Sequence, residues 1–485
     1  MNNNLLSLKP ELVWKHFSKI CSLPHPSGHE EKIREYIVSF AKEHNIECIV
    51  DEAGNVILRK PATPGMENRK GIIMQGHMDM VPQKNSDKQF DFEKDPIAAY
   101  IDGEWVTADG TTLGADNGMG EAAALAVMED DTIPHGPLEA LFTINEESGM
   151  DGAFALKPGV LKGDILLNLD SEEEGELYVG CAGGLDVVAT LPYKREAAPG
   201  GVTYGVHVSG LKGGHSGLEI ILQRANSNKL MFRFLYHALQ NLGVSIVEVN
   251  GGNMRNAIPR EASATVVVPA DKSVEFEASV KAYEKMYKSE FSEVDEGLSF
   301  VAEKMADAST IIDRNTAARL VNVIYACPNG VARMSDSMKG LVETSSNLGV
   351  VVTKEDVIEV VILVRSSVDS AKDSLTEQIT AIFTLAGATV STKGGYSGWK
   401  PNLNSPILKT MQKVYQELYG KVPAIMAIHA GLECGILGGT YPNLDMISFG
   451  PTLKYPHSPD EKVNIESVGK FYEFLVETIK NAPLK

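Results

Sequence analysis

Apolar and polar positions fall into short blocks along the chain. GIIMQ (71–75), LEALFTI (138–144) and DILLNLD (164–170) are apolar runs too short for helices. They read as buried strands. Between the first two, NGMGEAAALAVMED is alanine-rich and reads as an amphipathic helix. Ser27 with Glu30 three residues on is a capping-box pattern, opening a helix through EEKIREYIVSFAKEH. IECIVDEAGNVILRK reads as two short strands around a Gly-Asn turn. Strands alternating with helices predict an α/β layer with a mostly parallel sheet flanked by helices.

The pattern changes after about residue 185. VTYGVHVSGL, the helix-like ANSNKLMFRFLYHALQNL, ASATVVVPA and the helix-like SVEFEASVKAYEKMYKSEF come first. AARLVNVIYAC, LVETSSNLGVVV, VIEVVILVRS and LTEQITAIFTLAGA then form a second helix, strand, strand, helix series. Two similar α+β lobes in tandem are expected, although no residue-level repeat is visible. From about 395 the chain is loop-rich again, and it ends in the helix IESVGKFYEFLVETIKN. The favoured organisation is one α/β domain in two parts, 1–185 and 395–485, interrupted by an insertion at 186–394. A simple tandem of two domains is the alternative.

Composition narrows the function. A chain of 485 residues exceeds one ordinary core, which agrees with two domains. A formal charge of −19 argues against nonspecific binding to nucleic acid or anionic membranes. No secretory signal opens the chain, and no apolar run reaches the length of about 18 residues that spans a bilayer. Five scattered cysteines without CxxC spacing fit a reducing cytoplasm and offer no thiolate zinc site. Any metal must be held by histidine and carboxylate.

Such residues gather at predicted strand ends. His77 and Asp79 follow the strand in IIMQGHMDMV, and persisting extension would turn both to one side. Alone, the pair reads equally as a strand-end histidine and a turn aspartate. Asp116 in TTLGADNGMG sits where a helix N-cap is expected, and also in a strand-to-helix connection, where open α/β sheets carry their sites. The glycines there match no phosphate loop. Glu146 and Glu147 end LFTINEE; if that stretch stays extended their side chains point to opposite faces, one to a metal and one to a water. Two bare carboxylates would repel, and a nearby cation lets both ionise. Asp170 ends another strand, whereas Glu172 to Glu174 read as a solvated acidic stretch. His457, in a Pro-rich loop, reads alone as a surface histidine. Together this mixed nitrogen and oxygen donor set suits two ions of the zinc, manganese or cobalt type.

GHMDMVP, GADNGMG, NEESGMDGA, NLDSEEEG, GGHSG, NAIPRE, HAGLECG and GPTLKYPHSPDE, in that order, resemble the di-zinc exopeptidase family of aminoacylases, carboxypeptidases and dipeptidases. The resemblance runs from about residue 10 to the C-terminus. It implies His77, Asp116 and Asp170 around one metal and Asp116, Glu147 and His457 around the other, with Asp116 bridging. Zinc is the first expectation, manganese or cobalt the next. Asp79 would orient His77, and Glu146 would be the general base. The insertion would be a lid that closes over substrate and mediates a homodimer. On it, His215 would polarise the scissile carbonyl and Asn256 would touch substrate. The arginine that the family often carries a dozen or so residues after N-x-I-P is absent, the stretch reading VVVPADK. Arg365 is the substitute for gripping a terminal carboxylate, or else an ordinary strand-end arginine. Gly431 would let backbone approach the substrate. The expected activity is cytoplasmic, metal-dependent hydrolysis of small unblocked dipeptides, including those with histidine second. An N-acyl amino-acid deacylase on the same scaffold is one alternative, and an inactive metal-binding scaffold is another.

Overall fold

The computed structural model describes residues 4–485, which divide by their contacts into two units. The first runs to Gly180 and adds Pro401–Ala427 and Leu432–Lys485; the second is Cys181–Lys400 with Ile428–Gly431. Residues 185 and 394, the boundaries read from composition, lie inside the strands Gly183–Pro192 and Thr389–Tyr396. No described helix is long and apolar enough to cross a membrane.

The first unit is an α/β layer on an eight-stranded sheet. Its spatial order is Glu47–Val50, Val56–Lys60, Leu138–Thr143, Ile72–His77, Ile165–Asn168, Asp445–Ser448, Glu176–Cys181 and Ala424–Ile428. The four central strands are parallel, and antiparallel pairs flank them on both sides. Ile72–His77, Leu138–Thr143 and Ile165–Asn168 are buried at every position, as strands covered on both faces must be. The register aligns their ends: His77 faces Thr143 and Gln75 faces Asn168. Loops that leave these strands therefore emerge together at the carboxyl edge of the sheet. A four-stranded sheet, in the order Leu453–Lys454, Lys462–Asn464, Trp105–Ala108, Ala99–Asp102, clasps both ends of the loop that carries His457.

Three local expectations change. The alanine-rich helix, Ala115–Glu129, is buried from Asn117 to Met128 and is not amphipathic; its small side chains let it pack on all sides. The helix Glu31–Glu43 has Glu30 as its N-cap without a side-chain bond. Ser27 forms no capping box, because its hydroxyl donates to Asp79 (2.7 Å) instead. The acidic run is not simply solvated: Glu173 pairs with Lys454 at 2.8 Å, and Glu174 accepts the Tyr415 hydroxyl.

The second unit is one antiparallel sheet of nine strands. Ser299–Lys304, Val202–Ser209, Ala262–Val268 and Ser245–Gly251 form one half. Val342–Thr353, Val357–Ser366, Gly183–Pro192 and Thr389–Tyr396 form the other, with Gly330–Met334 also on Val342–Thr353. The halves meet where Asn250 and Gly251 face Val352 and Val351. In chain order helices Ser227–Leu242 and Ser273–Glu290 go with the first half and Arg314–Ala326 and Asp369–Leu385 with the second, while Arg314–Ala326 packs chiefly on Ser227–Leu242. The two lobes expected in tandem thus share one sheet and one hydrophobic core, which runs from Val187 to Ala386.

Candidate metal centre

At the sheet's carboxyl edge His77 is the last residue of its strand. Its Nδ1 hydrogen goes to the backbone carbonyl of Asp79 (3.0 Å), which leaves the Nε2 lone pair facing outward. The Asp79 carboxylate is farther from that ring, at 3.5 Å. It accepts instead from Ser27 Oγ (2.7 Å) and from the backbone amides of Glu146 (2.9 Å) and Glu147 (3.2 Å). Against burial, the His77 ring first, and then the bonds from Ser27 and the Glu146 amide, hold Asp79 at about 2. The bridge between Pro26 and Met80 sets Ser27 beside it.

The two glutamates are not extended. Asn145 turns the chain with φ 54°, and Glu146–Gly149 is one helical turn. The side chains therefore diverge by helical rotation rather than by strand alternation. Asp79 accepts the otherwise orphaned amides of that turn.

Six of the predicted side chains converge. His77 Nε2 lies 3.2 Å from Asp116 Oδ1 and 3.4 Å from Asp170 Oδ1. His457 Nε2 lies 3.1 Å from Asp116 Oδ2 and 3.0 Å from Glu147 Oε1. Asp116 thus gives one oxygen to each histidine. His77, Glu146 and Glu147 make a third close group. Four carboxylates outnumber two imidazoles even with both rings protonated.

That excess of negative charge, in a buried place, displaces the proton affinities of the cluster. Burial lifts Asp170 to about 7, with repulsion from Asp116 and Glu147 adding to it and His77 opposing. Glu146 is raised well above the carboxylate range by burial, and Asp170, Glu433 and Glu147 contribute. Hydrogen bonds to Asp116 and Glu147 push His457 up to about 11. Asp116 stays low despite burial because both histidines bond to it. Glu147 Oε1 and Asp170 Oδ1 are buried and meet no donor besides the two histidine rings. Tetrahedral bonds of the zinc type space neighbouring donors by about 3.4 Å. Spacing, donor types and the excess of carboxylate over imidazole all fit a pair of divalent ions.

Two supporting carboxylates, Glu461 and Glu433, receive no role from the sequence. Glu461, 1% exposed, accepts the backbone amides of Leu113, Gly114, Ala115 and Asp116. It fixes the turn in which Asp116 leaves helical geometry, at φ −86° and ψ 108°. Only its place in PHSPDE, four residues after His457, hinted at this. Glu433, also 1% exposed, accepts from Gln75 and Thr143, and burial lifts it to about 7.

The remaining candidates lie in the second unit. His215 faces Ala257 across a short strand pair, beside Asn256, whose carbonyl accepts the amide of Ser216. His215 Nδ1 accepts the amides of Gly217 (3.2 Å) and Leu218 (3.1 Å). Its Nε2 must then carry the proton, and burial, with Arg365 nearby, keeps the ring neutral. Arg365 is 5% exposed, with Nη1 donating to Tyr396 OH at 3.1 Å. A Cβ on Gly431 would meet the Tyr396 ring at 3.0–3.3 Å, so this glycine makes room for a tyrosine. His429, within HAGLECG but unassigned from sequence, pairs with Ser345 Oγ at 2.7 Å.

Residues 73–481 match peptidase family M20/M25/M40. The chain is 50% identical to the cytosol non-specific dipeptidase of Escherichia coli (strain K12), over 100% of both chains. A crystal structure of aminoacylhistidine dipeptidase from Vibrio alginolyticus superposes with a TM-score of 0.95 at 49% identity, covering 99% of each chain. The aminopeptidase PepT of Bacillus cereus, at 16% identity and a TM-score of 0.59 over 98% of this chain and 99% of that one, shares the fold.

Proposed function

The chain belongs to peptidase family M20/M25/M40, and from that premise we propose how its residues divide the work. The activity is metal-dependent hydrolysis of dipeptides, which the names of relatives at 50% and 49% identity over whole chains support. The name of the first also carries a cytosolic location, and this chain is placed there too.

One observation carries the residue assignment: Asp116 turns one oxygen to His77 and the other to His457. His77, Asp116 and Asp170 would hold one ion, and Asp116, Glu147 and His457 would hold the other. Zinc is the first choice for both, with manganese and cobalt compatible with the same donors. Bound there, the ions supply Lewis acidity to the scissile carbonyl and acidify a water. Glu146 takes the proton of the attacking water and delivers it to the leaving amine. Its burial beside Glu147 and Asp170 supports this role, because a carboxyl withdrawn from bulk water is a stronger base than a solvated one. Asp79 sets the turn that aims Glu146. His215 donates its Nε2 hydrogen to the oxygen that gains charge in the transition state. Asn256 and Gly431 line the substrate, and the Arg365 guanidinium takes its terminal carboxylate. The substrates are unblocked dipeptides, Xaa-His among them, and the enzyme works as a homodimer joined through its second unit.

A panel of free and N-acetylated dipeptides, assayed before and after chelation, tests this reading. Turnover of free dipeptides, lost with chelator and recovered with zinc, manganese or cobalt, is expected. Preference for the acetylated set would favour the deacylase. Activity indifferent to chelation would refute the metal mechanism.

A further inference from the structure

Arg365 is buried to 5% exposure yet has no ion-pair partner among the described residues, and its Nε has no hydrogen-bond partner. The acid on the adjacent strand, Asp186, is committed to Arg255 at 3.1 Å. A guanidinium taken out of water with most of its five donors unused is costly unless an anion completes it.

What holds this guanidinium is a transverse row of residues across the sheet. Tyr396 faces Gly184, Gly184 faces Arg365, and Arg365 faces Ser345. Residues directly opposite on neighbouring strands project to one face, so the row brings Tyr396 and Arg365 to the same side, two strands apart. Gly184 is the gap between them. A Cβ there would lie 2.7–2.8 Å from the Tyr396 ring and its hydroxyl oxygen. Without it the ring lies across the intervening strand and reaches Arg365 Nη1 at 3.1 Å. Gly431 closes the other side, where a Cβ would come 3.0 Å from the same hydroxyl oxygen. Lys372 Nζ, itself on Asp369 at 2.8 Å, donates to the Tyr396 carbonyl at 2.6 Å and pins its backbone. The ring is confined by two glycines and the backbone by a buried lysine.

We infer that Tyr396 is a positioning residue for Arg365, and that this pair, framed by Gly184 and Gly431, restricts substrates to peptides ending in a free carboxylate. The inference rests on the reading of Arg365 as the carboxylate grip. Tyr396 accepts from Nη1 and so fixes the plane of the guanidinium, leaving Nε and the other terminal nitrogen for two carboxylate oxygens. The tyrosine O–H remains a donor, so no acceptor at this point competes with the incoming anion.

Steady-state kinetics of the metal-loaded enzyme on a dipeptide and on the same dipeptide amide test it, with wild type, Tyr396→Phe and Arg365→Lys compared. Phenylalanine keeps the ring packing and removes only the hydroxyl. For Tyr396→Phe, KM for the free dipeptide should rise roughly three- to tenfold, the scale of one hydrogen bond. Its kcat should change less than about twofold, and the acid-over-amide ratio of kcat/KM should fall. An equal loss on acid and amide, or a lowered melting temperature that accounts for the loss, would make Tyr396 merely structural. An unmoved ratio in Tyr396→Phe beside a collapsed one in Arg365→Lys would overturn the role of Tyr396 and leave the carboxylate grip standing. A ratio unmoved in both variants would remove the grip itself.

Discussion

Asp79 gathers the Ser27 hydroxyl and the amides of Glu146 and Glu147 on one carboxylate, while only its backbone carbonyl meets His77 closely. At the residue scale it positions the Glu146–Glu147 turn more directly than it orients an imidazole. Asp79→Asn would set a side-chain N–H₂ against amide donors. Affinity for the divalent ions should fall about 10- to 100-fold, as for other losses of a ligand's support. Competition with a chromophoric chelator reads this; unchanged affinity would mean that the turn holds itself. His77, Asp116, Glu147, Asp170 and His457 were legible in sequence because each is a metal-ligating type at a strand end or in a loop. Glu461 was not, since an acceptor for four amides has no one-dimensional signature. Nor did sequence show that Gly431 makes room for Tyr396, a contact across 35 residues of chain.

At the scale of elements, the helix Glu11–Cys21 is fastened to Ala115–Glu129 through a buried imidazole. His16 Nε2 donates to Glu129 (2.8 Å), and Nδ1 accepts from Tyr36 (2.7 Å), an arrangement that needs the neutral ring. Burial lowers His16 from 6.5 to about 4, Glu129 opposing only in part. Between these values the unfolded chain binds the extra proton, so this contribution is full above about pH 6.5 and fades as the pH falls through 4. It amounts to about 3 kcal/mol. His16→Gln should flatten that portion of the urea stability profile relative to wild type; parallel profiles would exclude His16 as its source. Element types followed from periodicity. The alanine-rich helix was misread as amphipathic because small residues score as weakly apolar on every face. The NEES turn was misread as extended because no local residue announces that Asp79, 67 positions earlier, will collect its amides.

For the whole molecule, the excursion from the first unit begins and ends at one place. Cys181 and Trp399 exchange backbone hydrogen bonds at 3.0 and 2.9 Å, so the intervening chain leaves and returns with its ends paired. Its hydrophobic core is its own. Residues 181–400 expressed alone are therefore expected to fold, with a cooperative thermal transition in circular dichroism. A featureless melt would show that the short segment Ile428–Gly431 is indispensable to that unit.

Taken by itself, the sequence determined the α/β character of the first unit, the helix, strand, strand, helix repeat of the insertion and the side chains that the structure gathers as candidate metal ligands. Each depends on local periodicity or on side-chain chemistry, which survive in one dimension. Tertiary structure decided what depends on distance between residues far apart in the chain. The register that aligns His77 with Thr143 sets three strand ends level. The packing of Glu461 beneath Asp116 sets the carboxylate that reaches both His77 and His457. The row from Tyr396 to Arg365 exists only because Gly184 is opposite both. Strand register and desolvation arise only when the chain has closed on itself, so these features could be found only in three dimensions.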